Sequence, residues 1–312
     1  MSKIFDLNNK KVFVTGHKGL VGKALTKALS TLDVEIITAD KESLDLRSQS
    51  DVKDFIANTK PNVIIGAAAK VGGIEANRTQ PVEFLYDNLM IATNLICSSA
   101  ELGVERFLNL ASNCFYPRLA EQPIQEKSLL TGAFEPTNEA YAIAKVAATK
   151  LTEYYARQYD CKYLTLVPTS LYGPGDHFND ERGHVIPALI NRFHKAKLDG
   201  KSEVTLWGSG EPTREFLYVD DAAKGMLYFL EHYEGVEPIN LCGGEIVSIK
   251  ELGSMIAAVT GYSGQILWDS SKPDGMPHKS LDKTLCEQFK WRPEVDFKTG
   301  LTMTYQDYLK QC

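Results

Sequence analysis

The first half of this 312-residue chain alternates short runs of apolar, β-branched residues with longer amphipathic stretches. The short runs predict β-strands at residues 11–15, 34–38, 63–67, 107–110 and 163–167. The stretches between them repeat apolar residues every three or four positions, which predicts helices at residues 20–32, 50–58, 82–102 and 141–159. Strands joined by helical crossovers run parallel, and apolar runs without alternation suit strands covered on both faces. The pattern therefore predicts an α/β fold with a doubly wound parallel sheet.

The pattern changes after Pro168. Loops rich in Gly, Pro and Asp at residues 172–176 and 207–212 separate shorter elements, which is typical of a smaller domain that binds substrate. A helical stretch at residues 219–233 and a strand at residues 238–241 are expected to return to the first domain. We predict a dinucleotide-binding domain of residues 1–167 and 213–241, and a smaller α/β substrate-binding domain of residues 168–212 and 242–312.

Composition narrows the class of partner. The chain has 34 Lys and Arg against 40 Asp and Glu, a net charge of −6, so we expect neither nucleic acid nor a membrane surface as the partner. It has no C-x-x-C motif and no Cys/His spacing typical of zinc, so no metal is expected. The N-terminus is polar, and no apolar run approaches the roughly 18 residues of a membrane span. We expect a cytoplasmic protein that binds small molecules.

A glycine-rich segment directly follows the first predicted strand and opens the first predicted helix. Gly16, Gly19 and Gly22 form a G-x-x-G-x-x-G pattern. Glycine permits a tight turn and a close approach of backbone N–H groups to a pyrophosphate, and the helix N-terminus adds partial positive charge. A lone glycine triplet is also compatible with a bare strand-to-helix turn, but its place after the first strand favours a dinucleotide site of Rossmann type. The predicted contacts are Gly16, Lys18, Gly19, Leu20, Val21 and Gly22.

The residues after the second strand bear on the type of cofactor. Asp40 lies about twenty residues after the glycine loop, where a carboxylate binds the ribose 2′-hydroxyl of NAD. Lys18 and Lys41 flank the same place and suit the 2′-phosphate of NADP instead. Asp40 and Lys41 are also compatible with solvated turn residues. The choice between NAD(H) and NADP(H) stays open at this point.

Three residues form a candidate catalytic group for carbonyl chemistry. Tyr141 and Lys145 are four residues apart, hence on one face of a helix, and an ammonium lowers the pKa of a nearby phenol from about 10. This pair alone is a weak signal. Ser112 follows the fourth predicted strand, at the carboxyl edge of the sheet where doubly wound folds bind ligands. Together the three can polarise a ketone, protonate its oxygen and hold the cofactor ribose, as hydride transfer requires.

Several further motifs support this interpretation. They occur in order at residues 14–22 (VTGHKGLVG), 67–74 (AAAKVGGI), 112–117 (SNCFYP), 135–145 (EPTNEAYAIAK), 184–189 (HVIPAL), 207–216 (WGSGEPTREF) and 272–277 (KPDGMP). With these motifs the chain resembles the extended short-chain dehydrogenase/reductase superfamily, and within it the epimerase/reductases that act on GDP-4-keto-6-deoxy-D-mannose. The resemblance runs from about residue 10 nearly to the end of the chain.

The resemblance implies that Cys114 and His184 exchange protons at C3 and C5 of the sugar. A C4 ketone acidifies these positions, and thiol and imidazole groups, with pKa values near 8.5 and 6.5, suit proton exchange near neutral pH. Taken alone, Cys114 fits a small buried hydrophobic residue and His184 a hydrogen-bonded loop histidine. Their occurrence together in these motifs favours the catalytic role.

The resemblance also implies contacts with the two nucleotides. NADP(H) is expected as cofactor, with Ala68, Lys145 and His184 among its contacts. The substrate contacts implied for the GDP-sugar are Asn113, Arg192, Trp207, Arg214 and Lys279, of which the basic residues suit phosphate oxygens. Isolated basic residues of this kind are otherwise solvated surface charges.

Some positions depart from the family pattern. They are Asn113 in place of a small hydroxyl residue, Ser170 and Gly175 in place of Asn and His, Ala140 in place of Pro, and Ala39 and Asp40 where some relatives carry Arg. No proposed catalytic group is lost. The departures affect the expected preference for NADPH and the details of substrate orientation.

The implied activity is 3,5-epimerisation followed by reduction at C4, which yields GDP-L-fucose. One alternative is reduction of a related GDP-6-deoxy-sugar or GDP-heptose without epimerisation, which would not use Cys114 and His184. An alternative of another class is a non-catalytic dinucleotide sensor, but such proteins typically lack the Tyr141 and Lys145 pair. The resemblance further implies a homodimer that pairs the helices predicted at residues 82–102 and 141–159.

Overall fold

The computed structural model describes residues 2–178, 184–272, 274 and 276–312. Its strands are β1 Lys10–Val14, β2 Val34–Ile37, β3 Val63–Gly66, β4 Arg106–Leu110, β5 Tyr163–Pro168, β6 Ser170–Tyr172, β7 Glu203–Trp207, β8 Thr213–Tyr218, β9 Ile239–Leu241, β10 Glu245–Ser248, β11 Gln265–Asp269 and β12 His278–Lys279. Its helices are α1 Leu20–Leu29, α2 Gln49–Thr59, α3 Ile74–Thr79, α4 Pro81–Glu101, α5 Glu139–Tyr159, α6 Val185–Leu198, α7 Val219–His232, α8 Ile249–Thr260, α9 Thr284–Gln288 and α10 Phe297–Leu309.

Six parallel strands form the main sheet, in the order β2-β1-β3-β4-β5-β9. The Rossmann-type doubly wound parallel sheet predicted from the sequence is confirmed. The strand order reverses between β1 and β3, because the chain leaves β1 toward β2 and returns across β1 to β3. Ligands of doubly wound folds bind in the crevice that such a reversal opens at the carboxyl ends of the strands. The glycine-rich connection after β1 lies at this crevice.

Helices cover both faces of the main sheet. On one face, α1 and α7 bury Leu25, Leu29 and Met226 against Val12 of β1. On the other face, α2 and α4 pack against Phe13 in a second apolar cluster. Burial of each such side chain stabilises the fold by about 1.5–3 kcal/mol relative to exposure. Val12 and Phe13 are neighbours on β1, and each faces an apolar layer on one side of the sheet. This explains why apolar and polar residues do not alternate along the strand.

The second half of the chain builds a smaller unit beside the carboxyl edge of the main sheet. Its sheet has the order β10-β8-β12, with β6 also paired to β8, and a separate parallel pair joins β11 to β7. Helices α6, α8 and α10 enclose its core, where Phe193, Ile256 and Leu301 are fully buried. Strand β8 belongs to this second sheet, whereas α7 and β9, which follow it, pack with the main sheet. The chain therefore crosses between the two units more than once.

Two local differences from the predicted elements have physical causes. Helix α1 ends at Leu29 rather than at residue 32, because the hydroxyls of Ser30 and Thr31 donate hydrogen bonds to carbonyls of the last turn. Helix α3 has no apolar periodicity and is not predicted; Asn77 holds it by donating to the carbonyls of the two preceding glycines. Within the described ranges, no helix has the length and apolarity needed to cross a membrane.

Candidate active site

The glycine-rich loop is so tightly packed that two of its glycines admit no side chain. Gly16 has a φ of +66°, and a Cβ there would lie 2.8 Å from Cα of Ala68. A Cβ on Gly22 would lie 2.1 Å from the carbonyl oxygen of Gly16. Ala68 is itself held in place, because its N–H donates to Oγ1 of Thr15 at 3.0 Å and that hydroxyl donates to the carbonyl of Ile65 at 3.2 Å. The loop thus brings backbone, rather than side chains, to the crevice.

The loop leads directly into the N-terminus of α1. Gly19 occupies the capping position and provides no side-chain hydrogen bond, so the N–H groups of Leu20 and Val21 at the start of the helix have no side-chain cap. Such N–H groups, together with the partial positive charge of a helix N-terminus, form an anion site. This arrangement fits the pyrophosphate of a dinucleotide.

Asp40 lies beside two basic groups of the glycine loop. Its Oδ1 is 2.7 Å from Nζ of Lys18 and 3.3 Å from Nε2 of His17. The hydrogen bond from Lys18 lowers the pKa of the Asp40 carboxyl, so this carboxyl is ionised at neutral pH. Lys41 is exposed. His17 was not predicted as a site residue, because nothing in the local sequence pattern shows that it faces Asp40.

Four of the five predicted catalytic side chains, those of Ser112, Cys114, Tyr141 and Lys145, meet at the end of β4. Ser112 follows β4 and precedes a short 3₁₀ turn, Asn113–Phe115, which carries Cys114. The Cys114 thiol donates to Oγ of Ser112 at 3.1 Å. On α5, the ammonium of Lys145 lies 5.7 Å from the ring centroid of Tyr141. The structure therefore brings together residues that are up to 33 positions apart in the sequence.

Burial changes the proton affinities of this group. It raises the pKa of Tyr141, negative charge on Cys114 raises it further, and a hydrogen bond with Ser112 opposes both effects. Burial also lowers the pKa of Lys145 to about 8, with a smaller opposing effect from Cys114. Perturbed values of this kind in a crevice are typical of catalytic groups.

An aromatic residue that the sequence analysis missed completes one wall of the site. The rings of Phe84 on α4 and Tyr141 pack in a T-shaped arrangement, with 6.3 Å between the centroids and an angle of 79° between the planes. Nζ of Lys70 lies 5.7 Å from the centroid of Phe84. Phe84 is fully buried, so it helps to define the ring orientation of Tyr141. On sequence alone, Phe84 is one of many apolar residues of a long helix.

His184 lies directly before α6, with its side chain exposed. A carboxylate that the sequence analysis missed, Asp176, is 6% exposed and within electrostatic range of His184. One carboxylate oxygen accepts the N–H of His177 at 2.8 Å, and burial raises the pKa of Asp176. The segment 179–183 between the two lies outside the described residues.

Two of the predicted phosphate ligands are neighbours in the second sheet. Lys279 of β12 pairs in register with Arg214 of β8. Burial lowers the pKa of both side chains. Within the part of the chain that the structure describes, no carboxylate lies at ion-pair distance from either side chain, although Glu135 attracts the Lys279 ammonium from further away. Two half-buried cations without a carboxylate partner suit a polyanionic ligand, because a phosphate compensates the cost of their desolvation.

A buried carboxylate supports this pair. Glu215, which follows Arg214 on β8, is 3% exposed and accepts three backbone hydrogen bonds. The donors are the N–H groups of Gly243 at 2.7 Å, Gly244 at 3.2 Å and Leu281 at 3.0 Å. Glu215 therefore joins β8 to the segments after β9 and β12. Its position within the motif at residues 207–216 is the only sequence signal for this role.

Three more substrate contacts were predicted from the sequence: Arg192, Trp207 and Asn113. Nη1 of Arg192 on α6 is 3.5 Å from the carbonyl oxygen of Thr205. Trp207, at the end of β7, is 70% exposed. Asn113 opens the 3₁₀ turn beside Ser112. The structure thus places Asn113 next to the catalytic group, and Arg192 and Trp207 on the second unit.

Two of the sequence motifs meet in space. Asp274 accepts the N–H of Ser209 at 2.6 Å through one carboxylate oxygen and its hydroxyl at 2.8 Å through the other. The motifs at residues 207–216 and 272–277 therefore form one loop cluster. Pro273 and Gly275 of the second motif lie outside the described residues. No cluster of His, Cys, Asp and Glu suited to a metal occurs among the described residues.

Comparison with known proteins gives consistent results. The model of the NAD dependent epimerase/dehydratase family matches residues 12–243. A GDP-L-fucose synthase of Sinorhizobium fredii is 45% identical over 303 residues, which cover 97% of this chain and 96% of that protein. A GDP-L-fucose synthase of Escherichia coli is 44% identical over 314 residues, covering 97% and 98%. The crystal structure of a GDP-L-fucose synthetase from Naegleria fowleri bound to NADP is similar with a TM-score of 0.90 and 29% identity, covering 99% of this chain and 97% of that one.

Proposed function

The chain belongs to the NAD dependent epimerase/dehydratase family, and on this premise we propose that it converts GDP-4-keto-6-deoxy-D-mannose to GDP-L-fucose. The reaction is an epimerisation at C3 and C5 followed by an NAD(P)H-dependent reduction at C4. The observation that carries the proposal is the thiol of Cys114 beside Ser112, in the same site as Tyr141 and Lys145. A keto-reductase needs Ser112, Tyr141 and Lys145. An epimerase also needs a group that removes protons from carbon, and Cys114 is that group here.

NADP(H) is the proposed cofactor. The tight loop at Gly16 and Gly22 and the uncapped start of α1 fit its pyrophosphate, and Ala68, Lys145 and His184 are the further proposed contacts. Lys18 and Lys41 provide positive charge for a 2′-phosphate, and the N. fowleri relative is described as bound to NADP. Asp40 would accept a hydrogen bond from a free 2′-hydroxyl, so NADH remains the alternative cofactor. When bound, the cofactor supplies the hydride for C4.

The GDP-sugar is proposed to bind between the crevice and the second unit. Arg214 and Lys279, adjacent in register and without carboxylate partners in the described ranges, are the proposed phosphate ligands. Arg192 and Trp207 of the second unit are further proposed contacts of the GDP-sugar, and Asn113 lies beside the catalytic group. We also propose the division into two domains, with α7 and β9 on the dinucleotide side as predicted. Residues 213–218 were predicted on that side too, but they form β8 and pair within the second sheet, so we assign them to the substrate side.

In the epimerisation, the C4 ketone makes the protons at C3 and C5 acidic. Ser112 and Tyr141 donate hydrogen bonds to the ketone oxygen and stabilise the enolate that forms. Of Cys114 and His184, one removes the proton from one face of the carbon and the other returns a proton to the opposite face. Asp176 is a buried carboxylate within electrostatic range of His184.

In the reduction, negative charge develops on the C4 oxygen. Tyr141 donates its phenolic proton to that oxygen and Ser112 keeps its hydrogen bond to it. The ammonium of Lys145, held near the phenol ring, stabilises the phenolate that remains. Its pKa of about 8 leaves it charged at neutral pH.

The decisive experiment is the reaction with GDP-4-keto-6-deoxy-D-mannose and NADPH or NADH in deuterated water, followed by NMR of the product. We expect GDP-L-fucose with solvent deuterium at C3 and C5. Cys114→Ala is expected to lower deuterium incorporation by about 100-fold or more, and Tyr141→Phe to abolish NADPH oxidation while deuterium exchange continues. Cys312→Ala, which removes an exposed thiol, is the control.

Other results would favour the alternatives. A reduced product without deuterium at either carbon would make the protein a C4 reductase of a related GDP-sugar. Failure to oxidise either cofactor with any 4-keto sugar nucleotide would favour a dinucleotide sensor. Each outcome is read from the same NMR and absorbance measurements.

We further propose a cytoplasmic homodimer. Helices α4 and α5 pack side by side and expose large apolar residues, namely Val82, Tyr86, Ile143 and Tyr154. The pairing of these faces in two copies would bury them. All six cysteines are free thiols, which suits a reducing compartment.

A further inference from the structure

Asn240, the middle residue of β9, is buried and uses both ends of its side-chain amide. Its Oδ1 accepts the hydroxyl of Tyr116 at 2.6 Å. Its Nδ2 donates to the carbonyl oxygen of Ile124 at 2.9 Å and to that of Asp282 at 3.4 Å. Its backbone N–H donates to a carboxylate oxygen of Glu126 at 3.0 Å. Asn240 therefore joins the main sheet to two segments that are distant in the chain, residues 113–126 and residues 279–282.

The first segment, residues 113–126, carries the thiol of the proposed site. Tyr116 directly follows the 3₁₀ turn Asn113–Phe115, in which Cys114 lies. Tyr116 is 3% exposed, so its hydroxyl would be left without water if the bond to Asn240 were lost. Apolar packing is not directional, whereas a hydrogen bond between buried groups is. The bond from Tyr116 thus sets the position of the turn relative to β9.

The second segment, residues 279–282, carries a proposed phosphate ligand. Lys279 of β12 lies three residues before Asp282. Between them, the carbonyl oxygen of Ser280 accepts the N–H of Ile124 at 3.0 Å. The N–H of Asp282 donates to the carbonyl oxygen of Ile124 at 2.9 Å, so that oxygen accepts from both Asp282 and Asn240. The end of β12 is therefore tied to the first segment through Ile124 and to the main sheet through Asn240.

We propose that Asn240 is a positioning residue for the epimerisation, because it sets the place of Cys114 relative to the phosphate ligand Lys279. This inference rests on the proposed function. The covalent structure of a GDP-sugar limits how far C3 and C5 can lie from the diphosphate. The thiol must stand where that distance places these carbons, and a displacement of about 1 Å can lower a rate by about 100-fold.

The groups that act in the reduction have a different anchor. Tyr141 lies on α5, and the bond of 2.7 Å from Lys145 to the carbonyl oxygen of Leu110 ties that helix to the end of β4. Loss of the contacts at Asn240 should therefore displace Cys114 more than the phenol of Tyr141. The two reactions are expected to respond differently to the same substitution.

Tyr116→Phe tests this expectation with the smallest change, because it removes only the hydroxyl that donates to Asn240. Solvent-deuterium exchange at C3 and C5 of GDP-4-keto-6-deoxy-D-mannose measures the epimerisation. Reduction by NADPH of the 3,5-epimerised keto sugar, formed by the Tyr141→Phe variant, measures the reduction. We expect the exchange rate to fall about 10-fold or more and the reduction rate to fall less than about 3-fold. The ratio of the two rates does not depend on the amount of folded protein, so a mere loss of stability would leave it unchanged.

Tyr262→Phe is the matched control. The hydroxyl of Tyr262 is also buried, but it has no hydrogen-bond partner among the described residues, so both rates should stay within about 2-fold of wild type. Asn240→Ala removes every side-chain bond from β9 to the two segments and is expected to lower the ratio further. Equal losses of exchange and reduction in Tyr116→Phe, or no loss of either, would overturn the proposal.

The second test needs no substrate, so it separates this inference from the proposed function. Amide hydrogen exchange of the ligand-free protein is followed by mass spectrometry on peptides that cover residues 113–126 and 279–282. In Tyr116→Phe we expect amides of the first segment to exchange about 5-fold faster or more than in wild type and in Tyr262→Phe. Unchanged exchange would overturn the link through Asn240. Wild type without deuterium exchange at C3 and C5 would instead refute the proposed function, while the amide measurement still decides the link.

Discussion

The buried ammonium of Lys145 donates a 2.7 Å hydrogen bond to the carbonyl oxygen of Leu110, the last residue of β4. This bond joins α5 to the carboxyl edge of the main sheet. Tyr141 lies one helical turn earlier on α5, so the same bond determines where the phenol stands relative to Ser112. The catalytic group is thus positioned by a contact between a helix and a strand end, rather than by its own loop.

Replacement of Lys145 tests this arrangement. Lys145→Met is expected to lower the rate of C4 reduction by about 100-fold or more, because the phenolate loses its cation. In wild type, the rate is expected to fall as the pH rises through about 8, where the Lys145 ammonium loses its proton. Initial rates of NADPH oxidation between pH 6 and 10 measure both effects. Lys150→Met on the same helix is the control, and an equal loss there would contradict the role of Lys145.

Lys145 also makes a prediction about stability. Its pKa of about 8 in the folded state lies below the ordinary value of 10.5, so between these values the unfolded chain binds a proton that the folded chain does not. The unfolding free energy of wild type should therefore rise relative to Lys145→Met as the pH goes from 8 to 10.5, by up to about 3 kcal/mol. Urea unfolding at several pH values measures the difference. A constant difference would show that Lys145 titrates normally.

The glycine loop tolerates no side chain at Gly22. Its Cβ would lie 2.1 Å from a backbone oxygen, so Gly22→Ala must displace the loop. We expect an affinity for NADPH at least about 10-fold lower and a loss of stability of about 1–3 kcal/mol. Gly253→Ala on α8 is the matched control, because its Cβ would meet side-chain atoms of Leu206 and Trp268, of which the nearest is 3.3 Å away. Isothermal calorimetry and thermal melts distinguish the two variants.

Cofactor preference is expected to depend on Asp40. Its carboxylate repels a 2′-phosphate and engages Lys18, which would otherwise bind that phosphate. Asp40→Ala should raise the ratio of kcat/KM for NADPH over NADH by about 5- to 10-fold, whereas Lys18→Ala should lower it. Glu42→Ala, two residues further on, is the control. No change of the ratio in either variant would mean that the 2′ position lies elsewhere.

Lys279 is expected to bind the phosphates of GDP. Its cation is half-buried and has no ion-pair partner in the described ranges, so Lys279→Met should raise KM for the GDP-sugar about 10- to 100-fold. Lys283→Met removes an exposed cation that already pairs with Glu287 and should change KM less than 2-fold. GDP titration by calorimetry provides the independent readout. Equal effects of the two substitutions would argue against a phosphate site at Lys279.

The helical face on α4 and α5 is expected to form the dimer. Tyr154 is 57% exposed there, and Tyr154→Glu places a charge on the face that two copies would bury. Sedimentation equilibrium should show a dimer for wild type and a monomer for the variant. Leu198→Glu changes a 70% exposed residue on α6 and should remain dimeric. A monomeric wild type would refute the proposed pairing.

Much of the main sheet could be predicted from the sequence, because the information is local. Strands β1 and β3 are apolar runs, and α5 carries its own periodicity, so each is recognisable in a window of about ten residues. The order of motifs likewise placed Ser112 after a strand and Tyr141 on a helix. The ends of helices and strands were predicted less well. In α1, for example, the hydroxyl of Ser30 competes with backbone N–H groups for the carbonyls of the last helical turn.

By itself, the sequence determined the doubly wound class, the glycine loop at the first crossover and the residue types of the catalytic group. Only the tertiary structure decided which side chains meet: Cys114 with Ser112, Lys279 with Arg214, and Asp40 with Lys18 and His17. The physical reason is that propensity and periodicity act between near neighbours in the chain. Contacts between distant residues depend instead on strand register and on how helices pack against the sheet, and these are settled only when the whole core is buried.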